Sequence, residues 1–274
     1  MEFTQLLQEG RLEEALGALQ LAVRRQPERV EPRVDLFALE CLRGRWDKAL
    51  AQLETIVSLD REWTLSAQVY RTLIAGEGAR REVFAGQAQP QLMGEPEDWV
   101  VWNIHAFSLA AQGRGAEAQE LRARAFEAAP EYKAVVQGQA CAWLSDADRR
   151  IGPVLEAFLD GRYYWIPFRQ LQWIEISEPE ATVEVVWCRA KLGLSTGAEV
   201  SAYLPARYVG TELRQESALI LGRETQWQPC AGGGEAPVGA RLFESDQADY
   251  GIFECGRIEF EAGATPAQEA PADA

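Results

Sequence analysis

GRLEEALGALQ, at Gly10–Gln20, returns 34 residues later as GRWDKALAQLE at Gly44–Glu54. A weaker copy, GRGAEAQELRA, starts at Gly113, two such periods and one residue further on. Gly10 to Pro27, Gly44 to Arg61 and Gly113 to Pro130 are each 17 residues apart. Inside the first copy Leu12, Ala15, Leu16, Leu19, Ala22 and Val23 recur at three- and four-residue steps, and Trp46, Ala49, Leu50, Leu53, Ile56 and Val57 do so in the second. That spacing lays an apolar stripe along one face of a helix. A glycine turn, about four helical turns and a breaker are the grammar of stacked helix pairs.

The pattern resembles tetratricopeptide repeats, in which a small residue at the Ala15, Ala49 and Ala118 positions lets paired helices approach closely. The full consensus is not met, and Gly76–Pro96 is expected to interrupt the repeat. The reading is a short or degenerate solenoid of six to eight helices. Trp99–Gly113, uncharged and 15 residues long, reads as a buried helix, too short and too polar to span a bilayer.

From about residue 162 the period changes. Tyr163–Phe168, Leu171–Ile176, Val183–Leu194, Glu199–Leu204, Ala218–Leu221, Arg241–Phe243 and Ile252–Phe260 are rich in β-branched and aromatic residues. Asp160-Gly161, Thr196-Gly197 and Gly232–Gly234 stand between them as turn signals. A short helix over Pro153–Leu159 is expected to lead into this region, with Pro in its first turn. The predicted class is α+β in two domains: a TPR-like helical solenoid at 1–145 and a mainly antiparallel β domain at 146–262. An Ala/Pro-rich tail at 263–274 is predicted to be disordered.

Net charge is −15, from 27 basic and 42 acidic residues spread along the whole chain. Lys and Arg never cluster beyond a pair, so neither nucleic acid nor an anionic membrane is an expected partner. The start, MEFTQLLQEGRLEE, lacks a signal-peptide core, and a cytoplasmic location is expected. Five scattered cysteines without a C-x-x-C pair imply reduced, packed thiols rather than a disulfide framework or a zinc site.

Catalytic chemistry finds little to use. The single histidine, His105, lies on an apolar helical stretch. Asp146 and Asp148, near Glu156 and Asp160, lack a calcium-loop pattern and read as bracing the helix entry at Pro153. Gly232–Gly234 are followed by neither G-K-[ST] nor a helix, so they form a loop, not a phosphate cradle. No enzyme activity, cofactor or metal is expected. Binding remains: Trp46, Trp63, Trp99, Trp102 and Phe107, with His105, are the candidate partner surface, each to be weighed against burial in the core.

The second half carries a more specific resemblance. DADRRIGPVLEAFLDGRYYWIPF (Asp146–Phe168) includes Asp146, Asp148, Asp160, Arg162, Tyr163, Tyr164 and Trp165. YLPARY (Tyr203–Tyr208) supplies Tyr203, Leu204, Pro205, Arg207 and Tyr208, and LGRETQW (Leu221–Trp227) supplies Arg223 and Trp227. In this order the motifs resemble the ImpE family, also called TagJ, an accessory component of bacterial type VI secretion. The resemblance implies a cytoplasmic, non-enzymatic adaptor that binds the N-terminal helix of the small contractile-sheath subunit, TssB, and modulates sheath assembly or disassembly by the ATPase ClpV. The rival readings are a general TPR-like scaffold or chaperone, and an enzyme or small-molecule-binding β domain with a regulatory repeat domain. In a strand, Tyr163 and Trp165 share one face and Tyr164 takes the other. Arg207 is expected to pair with a carboxylate across the domain interface.

Overall fold

The computed structural model describes residues 3–230 and 232–261. Among these residues seven α-helices lie ahead of residue 129: α1 Phe3–Gln8, α2 Leu12–Arg25, α3 Glu31–Leu42, α4 Trp46–Leu59, α5 Thr64–Phe84, α6 Asp98–Ala111 and α7 Gly115–Ala128. The repeated glycines end one helix and open the next. Gly10, Gly44 and Gly113 all have positive φ, at 74°, 60° and 77°. The N–H of the arginine after each closes a six-residue turn, Arg11 to Leu6 at 2.9 Å, Arg45 to Glu40 at 2.8 Å and Arg114 to Leu109 at 2.9 Å. This is a Schellman-type stop, for which glycine has no Cβ penalty. Ala15, Ala49 and Ala118, four residues after each arginine, are wholly buried.

Residues 85–90 do leave the helical pattern, but Gly76–Phe84 continue α5 without a break. Gly76 answers to packing: a Cβ there would lie 2.7 Å from the Phe158 ring.

The strands are β1 Gln91–Leu92, β2 Ala134–Val136, β3 Gln139–Cys141, β4 Leu144–Asp146, β5 Val154–Leu159, β6 Arg162–Pro167, β7 Leu171–Ile176, β8 Trp187–Leu194, β9 Glu199–Pro205, β10 Thr225–Pro229, β11 Glu235–Gly239, β12 Leu242–Ser245, β13 Asp249–Gly251 and β14 Arg257–Phe260. Nine form one sheet in the order β1-β6-β5-β9-β8-β7-β14-β2-β3, antiparallel except for β1 on β6. Asp160 and Gly161, both with positive φ, make the two-residue turn of the β5–β6 hairpin, the mirror-image turn that matches strand twist.

Four local expectations are overturned. Pro153–Leu159 is no helix: Val154–Leu159 is a strand whose six residues are all buried, paired with β6 and, through Phe158, with β9. With both faces covered it has no alternation to read. Ala218–Leu221 is not a strand, because Ser217–Ile220 form a short helix, α8. Val183–Leu194 divides into a 3₁₀ turn, Thr182–Val185, and β8. Ile252–Phe260 divides into a turn and β14, with Gly256 at φ 56°. The three-residue strands β2 to β4 are too short for a period-two signal.

The sheet is covered on both faces. Val154, Phe158, Tyr163, Trp165 and Trp187 join Leu39, Leu53 and Ile74 of the helices in one core. Leu155, Ile166, Ile174, Leu204 and Phe243 build a second core on the other face. Tyr163 and Trp165 thus point to the helices and Tyr164 to the second core, as the alternation requires.

The β half also closes over the repeat. Seven consecutive α3 residues, Leu36–Leu42, are buried, about two full turns, so the C-terminal part of α3 is walled in on every side. Phe37 meets Tyr70 at 5.0 Å between ring centroids, and Trp46 stacks on Trp187 at 5.8 Å. The helix face that would lie open in a free-standing repeat is occupied by the chain's own second half.

Candidate functional site

At the junction of the halves lies a buried chain of charges. Glu156 of β5 is wholly enclosed and accepts from Arg80 of α5 at 2.7 Å, from the Tyr163 hydroxyl at 2.5 Å and from Arg241. Arg241 also bonds Asp146 and donates through Nε to the Pro205 carbonyl at 2.8 Å. Arg80 continues to the Arg207 carbonyl at 2.9 Å and to Glu77 at 3.3 Å, and Glu77 accepts from the Trp187 indole at 3.1 Å. The Tyr208 hydroxyl closes the other end on Asp146 at 3.2 Å. Three carboxyl groups, Glu77, Asp146 and Glu156, thus stand among three buried arginines, Arg80, Arg207 and Arg241, the pairing that a buried charge requires.

The carboxylates do not share this field equally. Burial pushes Glu156 upward, but Arg80 and Arg241 outweigh it and hold its pKa down at about 2. For Asp146 burial wins over the shared Arg241, and its pKa rises to about 7.

Arg207 and Arg223 clamp the helices to the sheet. Arg207 donates to the carbonyls of Leu42, at 3.0 Å, and Ile220, at 2.6 Å. Arg223 donates to Gln8 at 2.9 Å and Leu7 at 2.6 Å. Leu42 and Gln8 end α3 and α1, where helix carbonyls lack intrahelical partners and the dipole favours a cation. Arg207 therefore binds backbone, not the expected carboxylate; Arg80 and Arg241 take the carboxylates. Burial lowers the Arg207 pKa to about 10, so it stays charged at neutral pH.

Two adjoining clefts, of about 660 and 580 Å³, run along α7 where it faces the β half, and they share Phe126, Arg149 and Glu244. Another, of about 570 Å³, lies over α6 beside Val101, Trp102 and His105.

This geometry can be set beside known proteins. Residues 138–259 match the model of the ImpE protein family, and residues 6–71 match a tetratricopeptide repeat. Over 257 residues, 94% of this chain and 90% of the relative, the sequence is 40% identical to the type VI secretion system accessory component TagJ of Pseudomonas aeruginosa. The chain belongs to the ImpE/TagJ family. The crystal structure of protein VPA1032 from Vibrio parahaemolyticus has the same fold, with a TM-score of 0.86 over 95% of this chain and 98% of that one at 23% identity.

The ImpE motifs are mostly internal. Tyr163, Trp165, Leu204, Pro205, Arg207 and Tyr208 are buried, Tyr203 and Tyr164 half-buried, and Asp160, Arg162, Arg223 and Trp227 exposed. Asp146 and Asp148 brace no helix: Asp146 belongs to the charge chain, and Asp148 holds Arg150 through two bonds of 2.7 and 2.5 Å.

Among the expected binding aromatics, Trp99 and Phe107 are core; Phe107 packs edge-on to Phe84 at 5.2 Å and Trp165 at 6.0 Å. Trp46 and Trp63 are half-buried against the same core. Trp102 is half-covered by Arg124, 3.9 Å above its ring, and only His105 is exposed. Sequence reading missed Phe126, 64% exposed near the end of α7; its signal was a large aromatic off the apolar stripe of Ala118 and Ala125. Cys230 is half-buried and the other four cysteines are buried, all of them free thiols. No helix among the described residues is long and apolar enough to cross a membrane. The tail at 263–274 lies outside the described residues.

Proposed function

We propose that this chain is a non-enzymatic cytoplasmic adaptor of the type VI secretion machinery that binds the N-terminal helix of the small sheath subunit, TssB. Through that contact it modulates sheath assembly or ClpV-linked disassembly. The family membership supplies the system. The observation that carries a helix-binding role is the pair of open clefts along α7, bordered by Phe126, Trp143 and Trp227 and set on a frame in which the two halves share one core. A rigid frame keeps the ordering cost of binding on the ligand's side.

The energetics fit a moderate affinity. Three aromatic or aliphatic anchors at about 1.5–3 kcal/mol each give roughly 5–9 kcal/mol gross, and micromolar binding needs about 8 kcal/mol net. A labelled peptide copying the N-terminal helix of the cognate small sheath subunit, titrated with the full chain, tests the reading. Saturable binding with none for a charge-matched scramble supports it. Equal binding of both peptides, or of neither, overturns it.

A further inference from the structure

Two donors at the junction of the halves have nothing to donate to. Nε1 of Trp46 and Nε of Arg207 are both buried, and neither has a hydrogen-bond partner among the described residues. Arg207 is 5% exposed, and its Nη1 is already engaged by the Leu42 and Ile220 carbonyls. A buried N–H left unpaired carries its full desolvation cost. The two groups cannot satisfy each other, because indole and guanidinium nitrogens only donate.

Both residues border one small cavity of about 10 Å³, which Glu77 and Arg80 of α5 and Glu212 of the β half also line. By the same measure that is about the space of a single water molecule. Glu77 accepts from Arg80 at 3.3 and 3.4 Å and from the Trp187 indole at 3.1 Å. Glu212 accepts from the Gly210 N–H at 3.1 Å, and it lies against the second repeat's turn, where a Cβ at Gly44 would come 2.5 Å from its Cγ. An ionised carboxylate has about four acceptor sites, so both retain capacity for another donor.

The chemistry of the walls selects the occupant. It must accept from two N–H groups and donate to carboxylates within the space of one heavy atom. A metal cation cannot accept, and it would face Arg80 and Arg207. A monatomic anion cannot donate, and it would face Glu77 and Glu212. Water does both.

We propose that one structural water is bound here, accepting from Trp46 Nε1 and Arg207 Nε and donating to Glu77 and Glu212. It joins the start of α4 and the middle of α5 to the β half, a third tie between the halves beside the Arg207 and Arg223 clamps. Buried waters typically make about three hydrogen bonds, and a bridging water is enthalpically nearly as good as a direct bond. The Arg207 guanidinium thus serves two purposes with one plane, Nη1 capping helix carbonyls and Nε holding the water, which a lysine ammonium could not reproduce.

A crystal structure of the full chain at about 1.5 Å resolution, where waters are seen and hydrogens are not, tests the site. The expected result is a single density peak within about 3.2 Å of both nitrogens. In solution the Trp46 indole N–H, identified by its loss from the spectrum of Trp46→Phe, should show a nuclear Overhauser cross-peak to long-lived water. No peak at that site, or a Trp46 or Arg207 nitrogen bonded directly to Glu77 or Glu212 instead, overturns the proposal. A peak carrying the anomalous signal of chloride, or an indole N–H without the water cross-peak, overturns it as well.

Discussion

The Arg207 guanidinium crosses from the β half and donates to the Leu42 carbonyl, 3.0 Å away at the end of α3. Its second acceptor, Ile220, belongs to the short helix α8, so one cation ties the second helix pair to the sheet. Arg223 repeats the device on the first pair at Leu7 and Gln8. Two motif arginines thus serve the union of the halves.

Removing Arg207 leaves two carbonyls short of a donor in a buried place. Arg207→Ala is expected to cost about 2–4 kcal/mol of stability, and Arg207→Lys less, since an ammonium can reach one carbonyl but not span both. Arg223→Ala, on an exposed side chain, should cost only about 0.5–1 kcal/mol. Urea denaturation of the three variants checks the order; a neutral Arg207→Ala would contradict it.

Gly76 and Gly17 make a matched pair inside helices. Glycine to alanine in a helix ordinarily stabilises by about 0.5–1 kcal/mol, and that is expected at Gly17, where a Cβ meets nothing within 4 Å. At Gly76 the sign should reverse, because the Cβ runs into the Phe158 ring and overpacking costs about 1–3 kcal/mol. Phe158→Leu should relieve part of the Gly76→Ala cost, which a double-mutant cycle measures.

Glu156 and Asp146 impose opposite pH dependences. With its folded pKa down at about 2, Glu156 contributes stability that is present above the ordinary carboxylate range and is lost as pH falls towards 2. Asp146, raised to about 7, favours the fold in its protonated form. That contribution is complete below the ordinary carboxylate range and is lost as pH rises through about 7. Asp146→Asn should therefore gain stability relative to wild type between pH 5 and pH 8. Urea midpoints at the two pH values read this, and an unchanged difference would refute it.

One core shared by both halves predicts one unfolding transition for the full chain. Residues 1–133 alone should lack fixed near-ultraviolet circular dichroism, since α3 loses the wall over Phe37, Leu39 and Leu42. Calorimetry of the full chain showing two separated transitions would disprove the shared core.

The sequence by itself determined the elements whose signals are local. Glycine at Gly10, Gly44 and Gly113 specifies a helix stop wherever it occurs, and the stripe after it specifies one covered face. Asp160-Gly161 specifies its hairpin turn for the same reason. Only the tertiary structure decided what lies on both faces and who meets whom. Val154–Leu159 is apolar on every side because the sheet is covered twice, so its period is silent. Glu156 meets Arg80 across 76 residues and Asp146 meets Arg241 across 95. No spacing rule spans such distances, because charges that are costly to bury find partners by packing, not by position in the chain.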